Sequence, residues 1–347
     1  MKEILFFQPV NDFTGSSRVL SNIIQEEYSN IPVSVITLDR QGFLSELTNV
    51  SILPIYFPTI KGKSIPILSN LIRRLHICYL IIRHGLIHKR FYVNTIVPYY
   101  GAIAAKLFNK ELTYHIHEYF IIKTPTIKRA EYIFNHIKSN RIFVSKYLKK
   151  CYKERIDSPY LIKYNSLPKS YVDKVKFKPL EHRKRNNIIM LTSLLKEKGI
   201  INYILVAQLL PQYNFTIIIS NTIECINKFI SESEINTLPQ NLKILPAQAN
   251  IHPFFEESDL LLNLSNPQYC IETFGMTILE AMPYGIPAIV PNIGGPIELI
   301  TNGYNGYCID VTNTDEIKNK IQEILTNKTL YNKMSLNSLE QYKIFKN

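Results

Sequence analysis

Two glutamates in the segment 270–296, CIETFGMTILEAMPYGIPAIVPNIGGP, could bind a ligand that is rich in hydroxyl groups. Glu272 and Glu280 are separated by seven residues, the second inside an apolar helical pattern and the first just before it. A carboxylate only accepts hydrogen bonds, so one such group can hold two neighbouring hydroxyls of a sugar or a ribose. Spacing alone is weak support for this role, because two ordinary surface acids could stand equally far apart.

The same segment predicts a helix whose first amides could bind a phosphate. Apolar residues recur at helical spacing, and Gly285 is placed to end the helix in the left-handed conformation. The helix is therefore predicted to begin near Phe274 or Gly275. The amides around Gly275, Met276 and Thr277 then have no partner within the helix and carry the positive end of its dipole. Such an end binds anions, and a glycine there lets a ligand approach the backbone closely.

Three further segments of interest lie where predicted strands end. Gly15 and Ser16 follow the first strand and open a helix, so their amides could approach a diphosphate. His115 and His117 alternate at a strand end and so share one face, but no third ligand is evident and no metal is predicted. Lys198 in LLKEKGI could meet a phosphate, although an ordinary lysine at a helix start would look the same.

The chain is long enough for two domains, since one hydrophobic core rarely supports 347 residues. Strand and helix patterns alternate along the chain, which predicts parallel sheets with covering helices. The first half contains six predicted strands, EILFFQP, PVSVITL, VSILPIY, RFYVN, ELTYHIH and RIFVS, and the second half restarts with six more, NIIMLTS, NFTIIIS, NLKILPA, DLLLNLS, IPAIVPN and GYCID. We therefore predict an α/β protein with two Rossmann-like, doubly wound domains. The predicted parts are a domain at 1–165, a polar, Pro-containing linker at 166–185, a domain at 186–330 and a C-terminal helix at 331–347. Ligands of such domains bind at the carboxyl ends of the strands.

The positive charge is concentrated in the first half. Residues 1–180 hold 27 Lys and Arg against 12 Asp and Glu, a net +15, whereas residues 181–347 carry −3. This asymmetry indicates an anionic partner for the first half, either a membrane surface, a phosphorylated acceptor or nucleic acid, or else a solvated basic face. The segment 70–90 mixes cations with apolar residues, so it could rest on anionic lipid or form a mostly buried helix with basic ends.

Localisation is predicted to be cytoplasmic, or peripheral at the inner face of the plasma membrane. The longest apolar stretches fall short of the ~20 residues that a spanning helix needs. The five cysteines are odd in number and form no Cys-x-x-Cys pair, which favours reduced thiols in the cytosol.

With these motifs in place, the chain resembles glycosyltransferase family 4, the retaining, sugar-nucleotide-dependent transferases of the GT-B fold. The resemblance rests on the Glu, seven residues, Glu pattern followed by GIPAIVPNIGGPIELITNGYNGY, and on NDFTGSSRVLSNII, YHIHEY, RIFVSKYLKKCY and MLTSLLKEKGI in the expected order. It implies two Rossmann-like domains facing across a cleft. It also implies that Glu272 holds hydroxyls of the donor sugar and that Glu280 holds the nucleotide ribose.

The resemblance assigns two more roles and exposes two departures. It places His117 near the donor sugar as a hydrogen-bonding or polarising group, with a structural histidine as the alternative, and it directs Lys198 to the leaving diphosphate. This sequence has Ser16 where the family usually has a second glycine, and Ser193 where it commonly has an arginine. Either another cation, for which Arg18 is the candidate, compensates for the arginine, or donor binding is weakened.

The implied function is transfer of a hexose-type sugar from a UDP-, GDP- or dTDP-linked donor, with retention of configuration. The second domain would hold the donor, and the basic first domain would present the hydroxyl of a glycan or a lipid-diphosphate-linked acceptor. The setting would be synthesis of a bacterial surface polysaccharide, either a capsule or the O-antigen of a lipopolysaccharide. No cofactor or metal is expected, in keeping with the lack of an Asp-x-Asp motif.

Two alternatives remain at this stage. One is a sugar-nucleotide epimerase of the same two-domain fold. The other is a non-enzymatic nucleic-acid-binding protein. The sequence lacks a basic motif interleaved with aromatic residues, which argues against this alternative.

Overall fold

The computed structural model describes residues 2–12, 15–56, 66–152, 158–233, 235 and 237–346. The chain divides into two compact units, unit 1 at Met1–Lys163 and unit 2 at Tyr164–Asn347. Each unit contains one parallel sheet with helices in the connections between its strands. Two Rossmann-like α/β domains, as predicted from the alternating patterns, are therefore confirmed.

The sheet of unit 1 has seven parallel strands in the order β3-β2-β1-β4-β5-β6-β7. The order reverses between β1 and β4, which makes the carboxyl ends of these neighbours the place where a doubly wound sheet binds ligands. The strands are β1 Lys2–Phe7, β2 Val33–Thr37, β3 Val50–Pro54, β4 His88–Asn94, β5 Glu111–Ile116, β6 Asn140–Phe143 and β7 Tyr160–Ile162.

Five helices of six to twenty residues connect these strands within the described part of unit 1. The longest, α2, spans 20 residues. The helices are α1 Gly15–Glu27, α2 Pro66–Gly85, α3 Tyr100–Leu107, α4 Pro125–His136 and α5 Lys146–Cys151, with a 3-10 turn at Phe43–Glu46.

The sheet of unit 2 has six parallel strands in the order β10-β9-β8-β11-β12-β13. Its order reverses between β8 and β11, the equivalent of the reversal in unit 1. The strands are β8 Asn187–Thr192, β9 Asn214–Ile219, β10 Leu242–Leu245, β11 Leu260–Leu262, β12 Ala288–Pro291 and β13 Gly306–Ile309.

The helices of unit 2 include several of only one or two turns beside the sheet. They are α6 Lys169–Val172, α7 Ile200–Leu209, α8 Ile223–Ser231, α9 His252–Glu257, α10 Met276–Ala281, α11 Pro296–Leu299, α12 Thr314–Thr326 and α13 Lys328–Tyr342. The 3-10 turns are Leu180–His182, Lys196–Lys198, Met282–Tyr284 and Lys343–Phe345.

Central strands of both sheets contain apolar runs, such as residues 4–7 of β1 and all of β11, because layers of helix cover the two faces of a parallel sheet. In unit 1, residues such as Ile4, Phe6 and Val35 pack against Leu20 and Ile24 of α1. In unit 2, a larger core joins α7 and α12 to strands β8, β9 and β11. Both units can therefore hold their loops at the carboxyl edge of the sheet on a rigid base.

The segment 166–185, predicted as a linker, is counted within unit 2. Its Arg183 is buried, with the guanidinium donating to the backbone oxygens of Ser258 and Tyr284 and to the Tyr331 hydroxyl. Helix α13, which contains most of the predicted C-terminal helix, also packs on unit 2. There the hydroxyls of Ser335 and Ser338 donate to backbone oxygens at 285 and 286.

Candidate functional site

An ion pair joins Lys198 and Glu272 at the carboxyl edge of the unit 2 sheet. Lys198 ends the 3-10 turn that follows β8, and Glu272 lies in the loop after β11, the strand beside β8. The Lys198 Nζ atom lies 2.8 Å from the Glu272 Oε2 atom, and both side chains are mostly buried. The fold thus brings together two predicted residues that are 74 positions apart in the chain.

Two residues that the sequence reasoning missed support the Glu272 carboxylate. Asn263 directly follows β11 and forms a side-chain hydrogen bond with Glu272, while the Ser265 hydroxyl donates to Oε2 at 3.5 Å. Burial alone would raise the pKa of Glu272, but the Lys198 ammonium and these hydrogen bonds outweigh it and hold the pKa below its usual range. Glu272 is therefore an ionised acceptor at neutral pH.

Lys198 has a second neighbour in the thiol of Cys270. Burial would lower the pKa of the ammonium, but the Glu272 carboxylate, and after it Cys270, raise the pKa above its ordinary value. Lys198 therefore remains charged at neutral pH. The loop offers a cation suited to a phosphate beside an acceptor suited to hydroxyls, and these two groups are paired with each other in the structure.

Glycines let the loops of this site approach one another closely. Gly199, after the 3-10 turn, has φ +78°, and a Cβ there would lie 2.2 Å from the Leu264 carbonyl oxygen. Gly295, after β12, donates its amide to the Glu272 carbonyl oxygen at 2.7 Å. A Cβ at Gly295 would lie 2.1 Å from the Thr273 carbonyl oxygen. The backbone around Glu272 is thus held from two sides.

Helix α10 carries the remaining predicted donor-binding residues of unit 2. Gly275 precedes it with φ 108° and no side chain caps the helix, while Met276 and Thr277 form its first, partly exposed positions. Glu280 lies inside the helix and is only 3% exposed. The predicted end of the helix is confirmed, since Gly285 adopts φ 65° after a short 3-10 extension.

The Phe274 side chain lies in an aromatic cluster rather than on the surface. Its ring is 6.1 Å from the ring of Tyr164 and 6.1 Å from that of Phe345. The Tyr164 hydroxyl donates to Glu298 at 2.8 Å, which gives this acid at the start of α11 a structural partner. Phe274 therefore has only its backbone to offer a ligand.

In unit 1, His117 lies at the carboxyl end of β5 and contacts a buried polar chain. Its Nε2 atom lies 2.7 Å from the Asn94 Oδ1 atom at the end of β4. The Asn94 amide donates to Gln8 Oε1 at 2.6 Å, just beyond β1, and to the Ser16 carbonyl oxygen at 3.3 Å. The Gln8 amide in turn donates to the Val10 carbonyl oxygen at 2.8 Å.

This chain of hydrogen bonds determines which nitrogen of His117 carries a proton. Carbonyl oxygens can only accept, so those of Val10 and Ser16 orient the amides of Gln8 and Asn94 and turn the Asn94 Oδ1 atom toward the ring. His117 therefore donates from Nε2. Burial lowers the pKa of His117 to about 3, so the imidazole is neutral at physiological pH.

His115, the other predicted histidine, faces the interior beside His117. The two ring centroids are 4.1 Å apart, which confirms the shared face, and His115 Nδ1 lies 2.8 Å from the Tyr92 hydroxyl. Among the residues that the structure describes, no three His, Cys, Asp or Glu side chains are grouped so that they could hold a metal ion.

Gly15 and Ser16 form the first positions of α1, as predicted, while Phe13 and Thr14 of the same motif lie outside the described residues. A Cβ added at Gly15 would meet no atom within 4 Å, so packing does not require a glycine there. Arg18, the candidate replacement for the missing cation at Ser193, stacks over the Phe43 ring at 5.8 Å.

A signal for the missed residues was present in the sequence. Gln8, Asn94 and Asn263 are each the first polar residue at the end of an apolar strand, in FFQ, YVN and LLLN. In a doubly wound sheet such residues lie at the ligand-binding edge. What the sequence did not contain was the order of the strands, which decides which of these residues are neighbours.

Residues 172–341 match the family described as glycosyl transferases group 1. Over 256 residues the chain is 24% identical to the uncharacterized glycosyltransferase MJ1178 of Methanocaldococcus jannaschii, covering 71% of this chain and 68% of that protein. A shorter segment of 55 residues is 47% identical to a sucrose synthase of Melioribacter roseus, covering 16% of this chain. That match spans only 7% of the length of the sucrose synthase.

The whole chain is similar in fold to a solved structure. The crystal structure of Anabaena Alr3699/HepE in complex with UDP-glucose superimposes with a TM-score of 0.81 at 19% identity, covering 100% of this chain and 96% of that one. Two Rossmann-like domains of this kind are the GT-B fold. Residues 172–341 thus match the glycosyl transferases group 1 family, within a chain that has the GT-B fold.

Proposed function

We propose that this protein transfers a hexose-type sugar from a nucleotide-sugar donor to a hydroxyl of a glycan or lipid-linked acceptor, with retention of anomeric configuration. The observation that carries the proposal is the buried pair of Lys198 and Glu272 at the strand edge of unit 2. A diphosphate is bound by a cation, and the hydroxyls of a sugar are bound by a hydrogen-bond acceptor. This pair offers both groups within one loop cluster. The family match over residues 172–341 supports the same reaction class.

The proposed donor contacts lie in unit 2. Glu272 would hold hydroxyls of the donor sugar, Glu280 those of the ribose, and Lys198 the diphosphate. Backbone amides at Phe274, Gly275, Met276 and Thr277 would bind phosphate oxygens. In unit 1, the amides of Gly15 and Ser16 would also approach the diphosphate, and that unit would present the acceptor. The solved complex of Anabaena Alr3699/HepE with UDP-glucose makes UDP the first nucleotide to test.

The chemistry follows from where charge develops. As the bond between the sugar and the diphosphate breaks, negative charge grows on the departing phosphate oxygen. The Lys198 ammonium, already charged and mostly desolvated, would stabilise that charge in the transition state. Because a fixed cation serves this purpose, the proposal includes no metal or cofactor. His117 would contribute a neutral imidazole that hydrogen-bonds the reacting sugar.

No protein nucleophile is part of the proposal. The acceptor hydroxyl would attack from the side that the diphosphate leaves, through an ion-pair-like state, and this would retain the configuration. The proposed setting is the synthesis of a capsule, O-antigen or other bacterial surface polysaccharide by a cytoplasmic enzyme at the inner face of the membrane.

The test begins with the purified protein and UDP, GDP and dTDP in a thermal-shift assay. A ligand at 100 times its Kd stabilises the folded state by about 2.7 kcal/mol, which is readily measured. We expect one nucleotide to raise Tm, and Glu280→Gln to abolish the shift, while Glu340→Gln on the exposed face of α13 leaves it intact. No shift with any nucleotide would contradict the proposal.

The reaction itself is tested with the sugar form of the nucleotide that binds. Transfer to an added sugar or lipid-linked acceptor should release the nucleoside diphosphate, and NMR of the product should show the anomer of the donor. Lys198→Met should lower kcat by about 10²–10³-fold. Incubation of the donor without acceptor separates an epimerase, which would convert the sugar, from a transferase, which would leave most of it unchanged. Salt-dependent binding of oligonucleotides would instead favour the nucleic-acid alternative.

A further inference from the structure

An apolar stripe runs along the exposed face of α2 in unit 1. We define the apolar stripe as Leu71, Leu75, Tyr79, Ile82 and Leu86, the last of which directly follows the helix. Their side chains are between 49% and 62% exposed. The spacing of four, four, three and four residues places all five on one side of a helix, over a length of about 22 Å. Single exposed apolar residues are ordinary, but an uninterrupted stripe on one helix marks an interaction surface.

The other side of α2 already packs on unit 1. Ser69, Leu80 and Ile81 are buried, and Gly85 fits against the rings of Phe91 and Phe108. The helix is therefore apolar on both its inner and its outer face. The inner face anchors α2 to the core of unit 1, whereas the outer stripe contributes nothing to that core.

The charged residues of α2 are all basic. Arg74 and Arg83 are exposed and border the stripe on its two opposite edges, and the Arg83 guanidinium donates to the Tyr79 hydroxyl. No Asp or Glu occurs anywhere in residues 47–110, which contain nine Lys or Arg. A helix whose charged residues are all basic, within a segment that lacks carboxylates, attracts anions.

We propose that the apolar stripe docks unit 1 on the surface of an anionic lipid bilayer. A helix lying in the plane of a membrane buries its apolar residues by about 5–10 Å and places long cationic side chains among the headgroups. Leu71, Leu75 and Ile82 supply the apolar part, and the two arginines supply contacts to lipid phosphates. Tyr79, with its hydroxyl bonded to Arg83, fits the boundary between the two layers.

Peripheral contact is the mode that the helices allow. None of the helices in the described part of the chain combines the length and apolar character that a bilayer-spanning segment needs. A second copy of this chain is the competing occupant of the stripe, but it would bring the same arginines face to face. Anionic phosphate headgroups would instead attract the arginines. The charges of α2 therefore favour a lipid surface over a second copy of the chain.

The protein contains no tryptophan, so one introduced at the stripe reports on membrane contact without background. Leu75→Trp is compared with Leu336→Trp, which replaces a leucine of similar exposure on α13 of unit 2. Vesicles of phosphatidylcholine with phosphatidylglycerol should shift the emission of the stripe tryptophan to the blue, and brominated lipids should quench it. Vesicles of phosphatidylcholine alone should give a smaller change. Equal responses from the two variants would overturn the proposal.

A double substitution that should weaken vesicle binding provides the second test. Leu75→Glu with Ile82→Glu should weaken co-sedimentation with the anionic vesicles at least about tenfold, because two apolar side chains are lost and two repelling charges are gained. The matched control is Leu205→Glu with Leu209→Glu on α7 of unit 2, which makes the same change in charge at exposed leucines. Unaltered sedimentation of the stripe variant would contradict lipid docking.

Sedimentation velocity without lipid tests whether a second copy of the chain, rather than lipid, covers the stripe. If the stripe variant turned a wild-type dimer into a monomer while its affinity for vesicles stayed unchanged, the stripe would be an interface between copies and the proposal would fail. None of these measurements uses donor or acceptor, so their outcome is independent of the proposed transfer reaction.

Discussion

The Nε2 atom of His117 lies 2.7 Å from the Oδ1 atom of Asn94, at the ends of two strands that are neighbours in the unit 1 sheet. The Asn94 amide is itself oriented by Gln8 and by the Ser16 carbonyl oxygen. Asn94 thus determines the tautomer of His117 by presenting an acceptor to its Nε2 atom. The bond also gives the N–H group of this buried, neutral imidazole an acceptor.

This relationship predicts the NMR behaviour of His117. The ring should remain neutral, with its proton on Nε2, throughout the range of about pH 5–8 in which an ordinary histidine titrates. Protonation would require the pH to approach the lowered pKa of about 3. Since the unfolded chain binds this proton at a higher pH, His117 makes the protein less stable as the pH falls from about 6.5. Nitrogen-15 shifts of the imidazole measure both the charge and the tautomer.

Asn94→Leu should remove the side-chain acceptor that the Nε2 proton of His117 has in the wild type. We expect a loss of about 1–3 kcal/mol in the free energy of unfolding, measured with urea, and a mixture of the two tautomers in the NMR spectrum. Asn241→Leu in unit 2 is the control, because it removes three amide hydrogen bonds without touching His117. An unchanged tautomer signal in Asn94→Leu would contradict this role of Asn94.

The pair of Lys198 and Glu272 should stabilise unit 2 in a pH-dependent way. Glu272→Gln should lower the free energy of unfolding at pH 7 by about 1–3 kcal/mol, the usual worth of a hydrogen bond to a charged group. The folded-state pKa of Glu272 lies below its ordinary value. The stabilisation is therefore complete above the unfolded pKa of about 4.3 and is lost as the pH falls through the lower folded value.

The exposed pair of Lys343 and Glu340 is the matched control for this measurement. Its side chains are 66% and 59% exposed, so Glu340→Gln should change stability by less than about 1 kcal/mol. Denaturation curves for both variants from acid to neutral pH give the comparison. If Glu272→Gln behaved like Glu340→Gln, the buried pair would contribute no more than a surface contact.

Glu118 should make unit 1 less stable as the pH rises toward neutrality. Burial, and after it the charge of Asp12, raises the pKa of the Glu118 carboxyl to about 7. The folded state therefore binds this proton more tightly than the unfolded chain does. The protein loses stability as the pH rises from the unfolded pKa of about 4.3 to the folded value. Glu118→Gln should be more stable than the wild type by about 1–3 kcal/mol at pH 8 and nearly equal to it at pH 4. A variant less stable than the wild type at pH 8 would contradict this assignment.

Two glycine substitutions should separate folding from ligand binding. Gly199→Ala combines a positive φ with a methyl 2.2 Å from a carbonyl oxygen, so it should lower the free energy of unfolding by at least about 1–3 kcal/mol. Gly15→Ala places its methyl in open space and should leave stability unchanged or slightly raised. If the backbone at Gly15 approaches a diphosphate, kcat/KM should nevertheless fall. Thermal unfolding and steady-state kinetics of the two variants test this expectation.

Much of the fold could be predicted from the sequence because its signals are local. Twelve predicted strands correspond to β1–β6 and β8–β13, since buried parallel strands are apolar runs bounded by turn residues. Strand β7 was missed. It has three residues, and Tyr160 and Leu161 are each 57% exposed, so no buried pattern could reveal it. The polar and basic composition of 166–185 likewise did not show that Arg183 is buried.

The candidate site was predicted only in part. Glu272, Lys198 and His117 were found because charged or titratable side chains after strands are visible in the sequence. The partners of these residues were not, since Asn263, Ser265 and Asn94 are uncharged and common in loops. The position of the Phe274 ring, turned into an aromatic cluster, also could not be read from its place before a helix.

The sequence by itself determined the elements, the two-domain α/β class and the residue types available for chemistry, because propensity and periodicity act over a few neighbouring residues. Only the tertiary structure decided which of these residues meet. Strand order placed β8 beside β11 and β4 beside β5, and so joined Lys198 to Glu272 and Asn94 to His117 across 74 and 23 positions of the chain. The charge state of each group followed from that placement, because desolvation and the nearest partner, rather than residue type, set a pKa.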